Sequence, residues 1–244
     1  MSFTNSTIIK NISYNQKEIL YNIAQLYNNG EPFECDMTAS DLVFYKSTKS
    51  DDFIVPEPKI LFDVFPKQDK IQKIGPFGKL PLEDEYINSI VIDLPFIIKP
   101  NTNSNSLIFN RFGGYKNANE LYRTYYHWLS EAYRVLIPNG IVVFKCQSTI
   151  DGGVQHNTEE FSFMAAQKLR FVVVDKFILA ANKRMLRIGN VKQNHARKYT
   201  SVFYVFRKPT ISGKRVKSYH DYFRLINECI DYEKSIDYGT NTNN

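Results

Sequence analysis

Three carboxylates stand where apolar runs of this 244-residue chain give way: Asp36 after Phe33-Glu34-Cys35, Asp63 after Leu61-Phe62, and Asp93 after Ser89-Ile90-Val91-Ile92. An acid at the end of a second strand is suited to accept both hydroxyls of a ribose. Asp93 is followed by Leu94-Pro95-Phe96, which sets a carboxylate, a rigid turn residue and an aromatic ring side by side. A strand that simply ends in a proline turn with a solvated acid is the bland alternative. Charge supplies a second kind of chemistry. From Lys176 to His220 there are twelve Lys or Arg and no Asp or Glu, interleaved with Asn182, Gln193, Asn194, Tyr199 and Tyr204. Such a run suits the backbone of a polyanion, with Lys183, Arg184, Arg187, Lys192, Arg197 and Lys198 as candidate contacts. His127, His156, His195 and His220 are not spaced as metal ligands, and Cys146, at the end of an apolar run, reads as a small buried or site-lining residue rather than a nucleophile. The pairs Gly113-Gly114 and Gly152-Gly153 read as loop hinges.

The elements that must position these groups alternate. Ser13 with Gln16 has a capping-box pattern, Ile19, Leu20, Ile23, Leu26 and Tyr27 share one helical face, and Asn28-Asn29-Gly30 stops that helix. Strand-like runs follow at Phe33 to Thr38 and Lys59 to Phe65. The most apolar run, Ser89 to Ile98, predicts a strand buried on both faces and ending near Asp93. After a polar loop from Lys99 to Asn117, a helix carries Leu121, Tyr125, Leu129, Ala132 and Leu136 on one side, with Pro138-Asn139-Gly140 as its stop. A strand at Ile141 to Lys145, a second polar loop, a helix capped by Asn157 or Thr158, and strands at Phe171 to Leu179 and Thr200 to Phe206 complete the pattern. The last two strands, with no helix between them, predict an antiparallel pair at one end of the sheet. Alternation of this kind argues an α/β fold with a largely parallel sheet covered on both faces, and a site beyond the carboxyl ends of its strands.

Asp93-Leu94-Pro95-Phe96 resembles the Asp-Pro-Pro-Tyr/Phe signature of S-adenosylmethionine-dependent amino-methyltransferases, which modify N6 of adenine or N4 of cytosine in DNA. An exocyclic amine conjugated to a base is a poor nucleophile, so its hydrogens need acceptors that push the lone pair toward the methyl donor. The resemblance gives that task to Asp93 and the carbonyl of Leu94, with Pro95 as rigid support and Phe96 stacking on an extruded base. Leu80-Pro81-Leu82-Glu83-Asp84-Glu85 is similar to the leucine-proline and acidic stretch that leads into this signature, which places Pro81 and Leu82 with the cofactor residues. Leu129 to Gln147, Ala165 to Phe171 and Asp175 to Leu179 resemble the family's following helices and strands, so the likeness runs over about residues 31 to 208. Two departures stand out: Leu94 replaces the usual proline, and no glycine-rich loop follows the first strand. In its place Asp36-Met37-Thr38-Ala39-Ser40 resembles an Asp-x-Thr-x-Ser form, in which Asp36 would bind the cofactor's amino group and Thr38 or Ser40 its carboxylate, while Asp63 takes the ribose.

The resemblance implies a Rossmann-like class I methyltransferase fold of about seven strands, S-adenosyl-L-methionine as cofactor, and transfer to an exocyclic base amine of DNA, adenine N6 ahead of cytosine N4. A catalytically inactive nucleic-acid-binding relative or partner subunit, and an RNA methyltransferase, are the alternatives. The expected division is an N-terminal helical segment over 1–30, the methyltransferase domain over 31–208 and a helical extension with a tail over 209–244. At 43% hydrophobic and 23% charged the chain is neither disordered nor coiled coil. Three distant cysteines exclude a disulfide framework and imply a reducing compartment. No apolar run approaches the roughly 20 residues of a membrane span, so a cytoplasmic protein without a membrane partner is expected. The net charge of +6 is unevenly spread: outside 176–220, 19 basic residues face 25 acidic ones. Target recognition would fall to loops around Asn101 to Asn117 and Lys183 to Lys198, to dimerisation, or to a partner subunit.

Overall fold

The computed structural model describes residues 8–47, 52–98, 113–181, 194–210 and 226–231. Most of the loop expected from Lys99 to Asn117, together with Lys183, Arg184, Arg187 and Lys192, lies outside them. The chain divides into one unit over Met1–Ile211 and another over Ser212–Asn244. The described part of the second is a helical turn at 226–231.

In the first unit the elements run β1 (Ile12–Ser13), α1 (Gln16–Tyr27), β2 (Cys35–Asp36), β3 (Ile60–Asp63), β4 (Gln72–Lys73), β5 (Ile87–Asp93), α2 (Ala118–Val135), β6 (Leu136–Cys146), β7 (Thr149–Asp151), β8 (Val154–His156), α3 (Thr158–Lys168), β9 (Val172–Ala180) and β10 (Thr200–Arg207). Eight strands form one sheet in the order β1-β9-β10-β6-β5-β2-β3-β4. All pair in parallel except β10, which runs antiparallel to both β6 and β9. This is the Rossmann-like α/β sheet that the alternation predicts, one strand larger than expected. The β9–β10 pair forms as foreseen, but β10 is inserted between β6 and β9, and β1 covers the far side of β9.

Strand alternation sorts the core into two layers. On one face Ile90, Ile92, Val142, Phe144, Cys146, Val202, Tyr204 and Phe206 pack with Leu121, Tyr125, Trp128, Leu129 and Ala132 of α2 and with Ala165 and Ala166 of α3. On the other, Val91, Ile141, Val143, Phe203 and Val205 meet Ile19, Leu20 and Ile23 of α1. Each of these large side chains is buried, worth about 1.5–3 kcal/mol apiece. Asp93 and Lys145 continue the α1-side rows of β5 and β6.

Local expectations changed in four places. Asn15, not Ser13, caps α1, accepting from Lys17 N at 2.9 Å, while Ser13 is drawn into β1 and donates to Glu18. Leu26, expected on the apolar face of α1, is exposed. Pro138-Asn139-Gly140 is not the stop of α2, which ends at Val135; the tripeptide bulges within β6, because Asn139 N and Gly140 O exchange hydrogen bonds with the backbone of Lys208. Asn139 takes φ 71°, and Gly140 approaches so closely that an added Cβ would lie 2.9 Å from the carbonyl oxygens of Asn88 and Ile137. The second polar loop contains a hairpin, β7–β8.

Candidate active site

The chain leaves β2 for β3 on one side and then crosses to β5 on the other, so the sheet order reverses around β2. In a doubly wound sheet the crevice beyond the carboxyl ends at such a reversal is where ligands bind. Asp36, Asp63 and Asp93 are the last residues of β2, β3 and β5. Three neighbouring strands thus present a carboxylate each at the reversal.

Asp36 is buried and its oxygens are engaged within the chain. Oδ1 accepts from Thr38 N at 2.7 Å and Thr38 Oγ1 at 3.1 Å, and Oδ2 accepts from the Tyr45 hydroxyl at 2.7 Å. Burial pushes its carboxyl up to about 7 against these hydrogen bonds, which lower it, with the nearby Asp93 adding to the rise. The loop from Met37 to Tyr45 is thereby folded over the end of β2. It turns through two left-handed residues, Ser40 at φ 48° and Leu42 at φ 61°, and Ser40 N donates to Asp63 Oδ2 at 2.8 Å. Phe65 N donates to the other oxygen of Asp63 at 2.6 Å, and partial burial raises that carboxyl above its ordinary range. A carboxylate offers about four lone-pair sites, so each oxygen of Asp63 retains capacity for another donor.

Asp93 is held from two sides. Its backbone N–H donates to Thr38 Oγ1 at 2.7 Å, so the Thr38 hydroxyl links β2 to β5 by donating to Asp36 and accepting from Asp93. Lys145 stands opposite Asp93 in the β5–β6 register, and its Nζ donates to Asp93 Oδ2 at 2.8 Å. The ammonium also lies 5.2 Å and 5.5 Å from the ring centres of Phe44 and Phe203. Leu94 is buried on the α2 side, and the Tyr125 hydroxyl donates to Pro95 O at 3.1 Å. Pro95 and Phe96 are half-buried, and the chain beyond is tied back by the Ile98–Tyr115 bridge.

Of the residues singled out by sequence, Asp36, Thr38, Ser40, Asp63 and Asp93 to Phe96 come together. Pro81 and Leu82 do not. They precede β5, where Arg134 binds Leu80 O and Leu82 O at 3.1 Å and 2.8 Å, and where Glu85 N and Tyr86 N pair with Arg134 O and Val135 O. That is the amino end of β5, about 20 Å of strand from Asp93 at roughly 3.3 Å per residue. Arg197 and Lys198 are half-buried beside the β7–β8 hairpin, Lys198 Nζ donating to Gln155 Oε1 at 2.8 Å. Cys146 is buried, and its thiol is pushed far up by desolvation, as a packing residue requires. Two residues of the cluster escaped sequence reasoning. Lys145 had a signal, a lone cation ending the apolar run Ile141 to Phe144; Tyr45 had none.

No protein-family model matches the chain, and no curated protein matches it. Solved structures do resemble it in part. A provisionally named DNA modification methylase from Thermus thermophilus, complexed with S-adenosyl-L-methionine, is 16% identical with a TM-score of 0.36, over 56% of this chain and 54% of that one. The chain therefore spans about half the length of that protein. A SAM-dependent methyltransferase from Methanosarcina mazei is 10% identical with a TM-score of 0.37, covering 72% of this chain and 80% of its own. The N-methyltransferase NodS from Bradyrhizobium japonicum is 12% identical with a TM-score of 0.41, over 80% of this chain and 97% of that one.

Proposed function

We propose that the chain is an S-adenosylmethionine-dependent methyltransferase that methylates an exocyclic amine of a nucleic-acid base, adenine N6 in DNA ahead of cytosine N4. The observation that carries this reading is the convergence of Asp36, Asp63 and Asp93 on the crevice where the sheet order reverses. The residues suit the cofactor. Three acids against Lys145 complement a sulfonium and an amino group, and Asp63 keeps acceptor sites for ribose hydroxyls. Asp36 acts by ordering the loop from Met37 to Tyr45 rather than by direct contact, since it is buried and three of its roughly four acceptor sites are engaged within the chain. The left-handed Ser40 and Leu42 turn that loop where a glycine-rich turn is missing. Thr38 and Ser40 belong to the cofactor's methionine end.

The cofactor would supply an electrophilic methyl group on sulfur; the chain must make the amine nucleophilic. With Oδ2 bound to Lys145, Asp93 offers Oδ1 to one amine hydrogen, and the carbonyl of Leu94 takes the other. Phe96 stacks on the extruded base. The basic segment, including Lys183, Arg184, Arg187, Lys192, Arg197 and Lys198, tracks the phosphates. Calorimetry with the cofactor and transfer from methyl-tritiated cofactor to DNA test the reading; a chain that neither binds nor labels would end it.

Two observations favour a second reading, a methyltransferase-like protein that binds nucleic acid without catalysis or serves as a partner subunit: Asp36 is buried with three hydrogen bonds already accepted from within the chain, and Lys145 already binds one oxygen of Asp93. Asp93→Ala separates the two, because a catalyst loses transfer while keeping nucleic-acid binding, whereas a scaffold is unchanged. Competition between duplex DNA and structured RNA decides the substrate.

A further inference from the structure

Outside the strand-end cluster, a groove of about 1070 Å³ runs along the solvent side of α2. That lies at the upper end of the roughly 300–1,000 Å³ of small-molecule pockets. Its walls are aromatic: Phe77, Tyr122, Tyr126 and Phe161 line it, and Phe77 and Tyr126 remain 49% and 42% exposed. Tyr122 packs against Phe161 with ring centres 4.6 Å apart, and Phe77 meets His127 edge-on at 5.6 Å. Tyr122, Phe161 and Phe77 thus pack against neighbouring rings, and Phe77 and Tyr126 keep faces open to solvent.

The charges there are mainly positive. Lys116 and Arg123 line the groove, exposed, and neither side chain has an ion-pair partner among the described residues. The one acid, Glu120, is occupied in capping: its carboxylate accepts from Lys116 N at 2.7 Å, while its own N–H donates to Asn117 Oδ1. Tyr122 also joins the groove wall to the β7–β8 hairpin. Tyr122 contacts His156 of β8 at 6.2 Å between rings, and Gln155, the preceding residue, receives Lys198. Aromatic faces interleaved with unpaired cations are what an unpaired nucleic-acid strand requires, since each base offers a π-face and each phosphate a charge.

We infer that this groove binds single-stranded nucleic acid, the stretch flanking the target base, with Tyr126 and Phe77 as stacking platforms and Lys116 and Arg123 on the phosphates. The inference rests on the nucleic-acid reading of the substrate but not on catalysis. It is tested by fluorescence anisotropy on the full chain with a labelled mixed-sequence single-stranded oligonucleotide and its blunt duplex, over a salt series. The wild type binds the single strand more tightly. Tyr126→Ala weakens it about 10-fold, Tyr126→Phe leaves it within about 2-fold because the ring is kept, and Arg123→Gln reduces the salt slope by about 0.7. Melting curves confirm that these surface variants fold. Single-strand affinity unaltered in Tyr126→Ala and Arg123→Gln would overturn the inference. So would sedimentation showing that Tyr126→Ala dissolves a dimer, which would make a second copy the occupant. Transfer from tritiated cofactor, run in parallel, keeps the two readings apart. Oligonucleotide held by the groove without methyl transfer sinks the enzyme alone, and transfer undisturbed by both variants sinks the groove alone.

Discussion

Replacing Lys145 by methionine removes one charge from the strand-end cluster and leaves the stem in place. The ammonium donates to Asp93 Oδ2 at 2.8 Å, with Lys145 14% and Asp93 26% exposed, and it faces the rings of Phe44 and Phe203. A hydrogen bond between charged groups is worth about 1.5–3 kcal/mol, and cation–π contacts about 0.5–1 kcal/mol each at partly exposed sites. Methionine retains the apolar contact, and water reaching Asp93 offsets part of the loss, so about 2 kcal/mol is expected. In a domain of this size that lowers Tm by about 4–8 °C. A double-mutant cycle in urea, with Lys145→Met, Asp93→Ala and the pair, isolates the contact. The two changes should couple by about 1–2 kcal/mol. Additivity within roughly 0.3 kcal/mol, or a Tm unchanged in Lys145→Met, would refute the claim that Lys145 holds Asp93.

Asp36 makes stability depend on pH in the direction opposite to an ion-paired acid. Its folded carboxyl titrates near 7 against an ordinary 3.8, so between those values the folded chain keeps a proton that the unfolded chain has lost. Stability is full below about pH 4 and falls as pH rises through 7, by on the order of 4 kcal/mol; urea midpoints across that window should slope downward in the wild type and flatten in Asp36→Asn. Gly140→Ala drives a Cβ to 2.9 Å from two carbonyl oxygens and should cost about 1–3 kcal/mol by urea unfolding. Gly152→Ala, at φ 54° but with open space around it, serves as the milder comparison, at about 1 kcal/mol.

Long periodic segments declared themselves in the sequence because burial alone decides them. The two apolar faces of Ile90 to Ile92, the α2 stripe from Leu121 to Ala132, and the β9–β10 pair all form where hydrophobic spacing requires. Positions set by hydrogen bonding between distant segments were not legible. Whether Ser13 caps a helix or joins a strand depends on Leu179 of β9, 166 residues away, and whether Pro138-Asn139-Gly140 turns or bulges depends on Lys208. The strand-end acids were legible as types at boundaries, but their division of labour was not. Thr38 reaching Asp93, Tyr45 closing over Asp36, and Lys145 facing Asp93 follow from sheet order, which no local pattern encodes. Pro81 and Leu82 show the converse: the likeness of their stretch to one that leads into the signature grouped them with the cofactor residues, whereas a strand of seven residues carries its ends to opposite sides of the sheet.

The outermost strands of the eight-stranded sheet, β1 and β4, are two residues long. A strand that short presents too few free backbone groups to recruit a foreign strand, so the sheet ends in stubs that resist edge-to-edge polymerisation. On the β1 side the stub is also a cover. Ile178 N donates to Asn11 O at 2.7 Å, and Ile12 and Ser13 lie against Ile178 and Leu179. Trimming the chain past Ser13 would uncover β9 at Ile178 and Leu179 and lengthen the edge that this nine-residue strand offers to another chain.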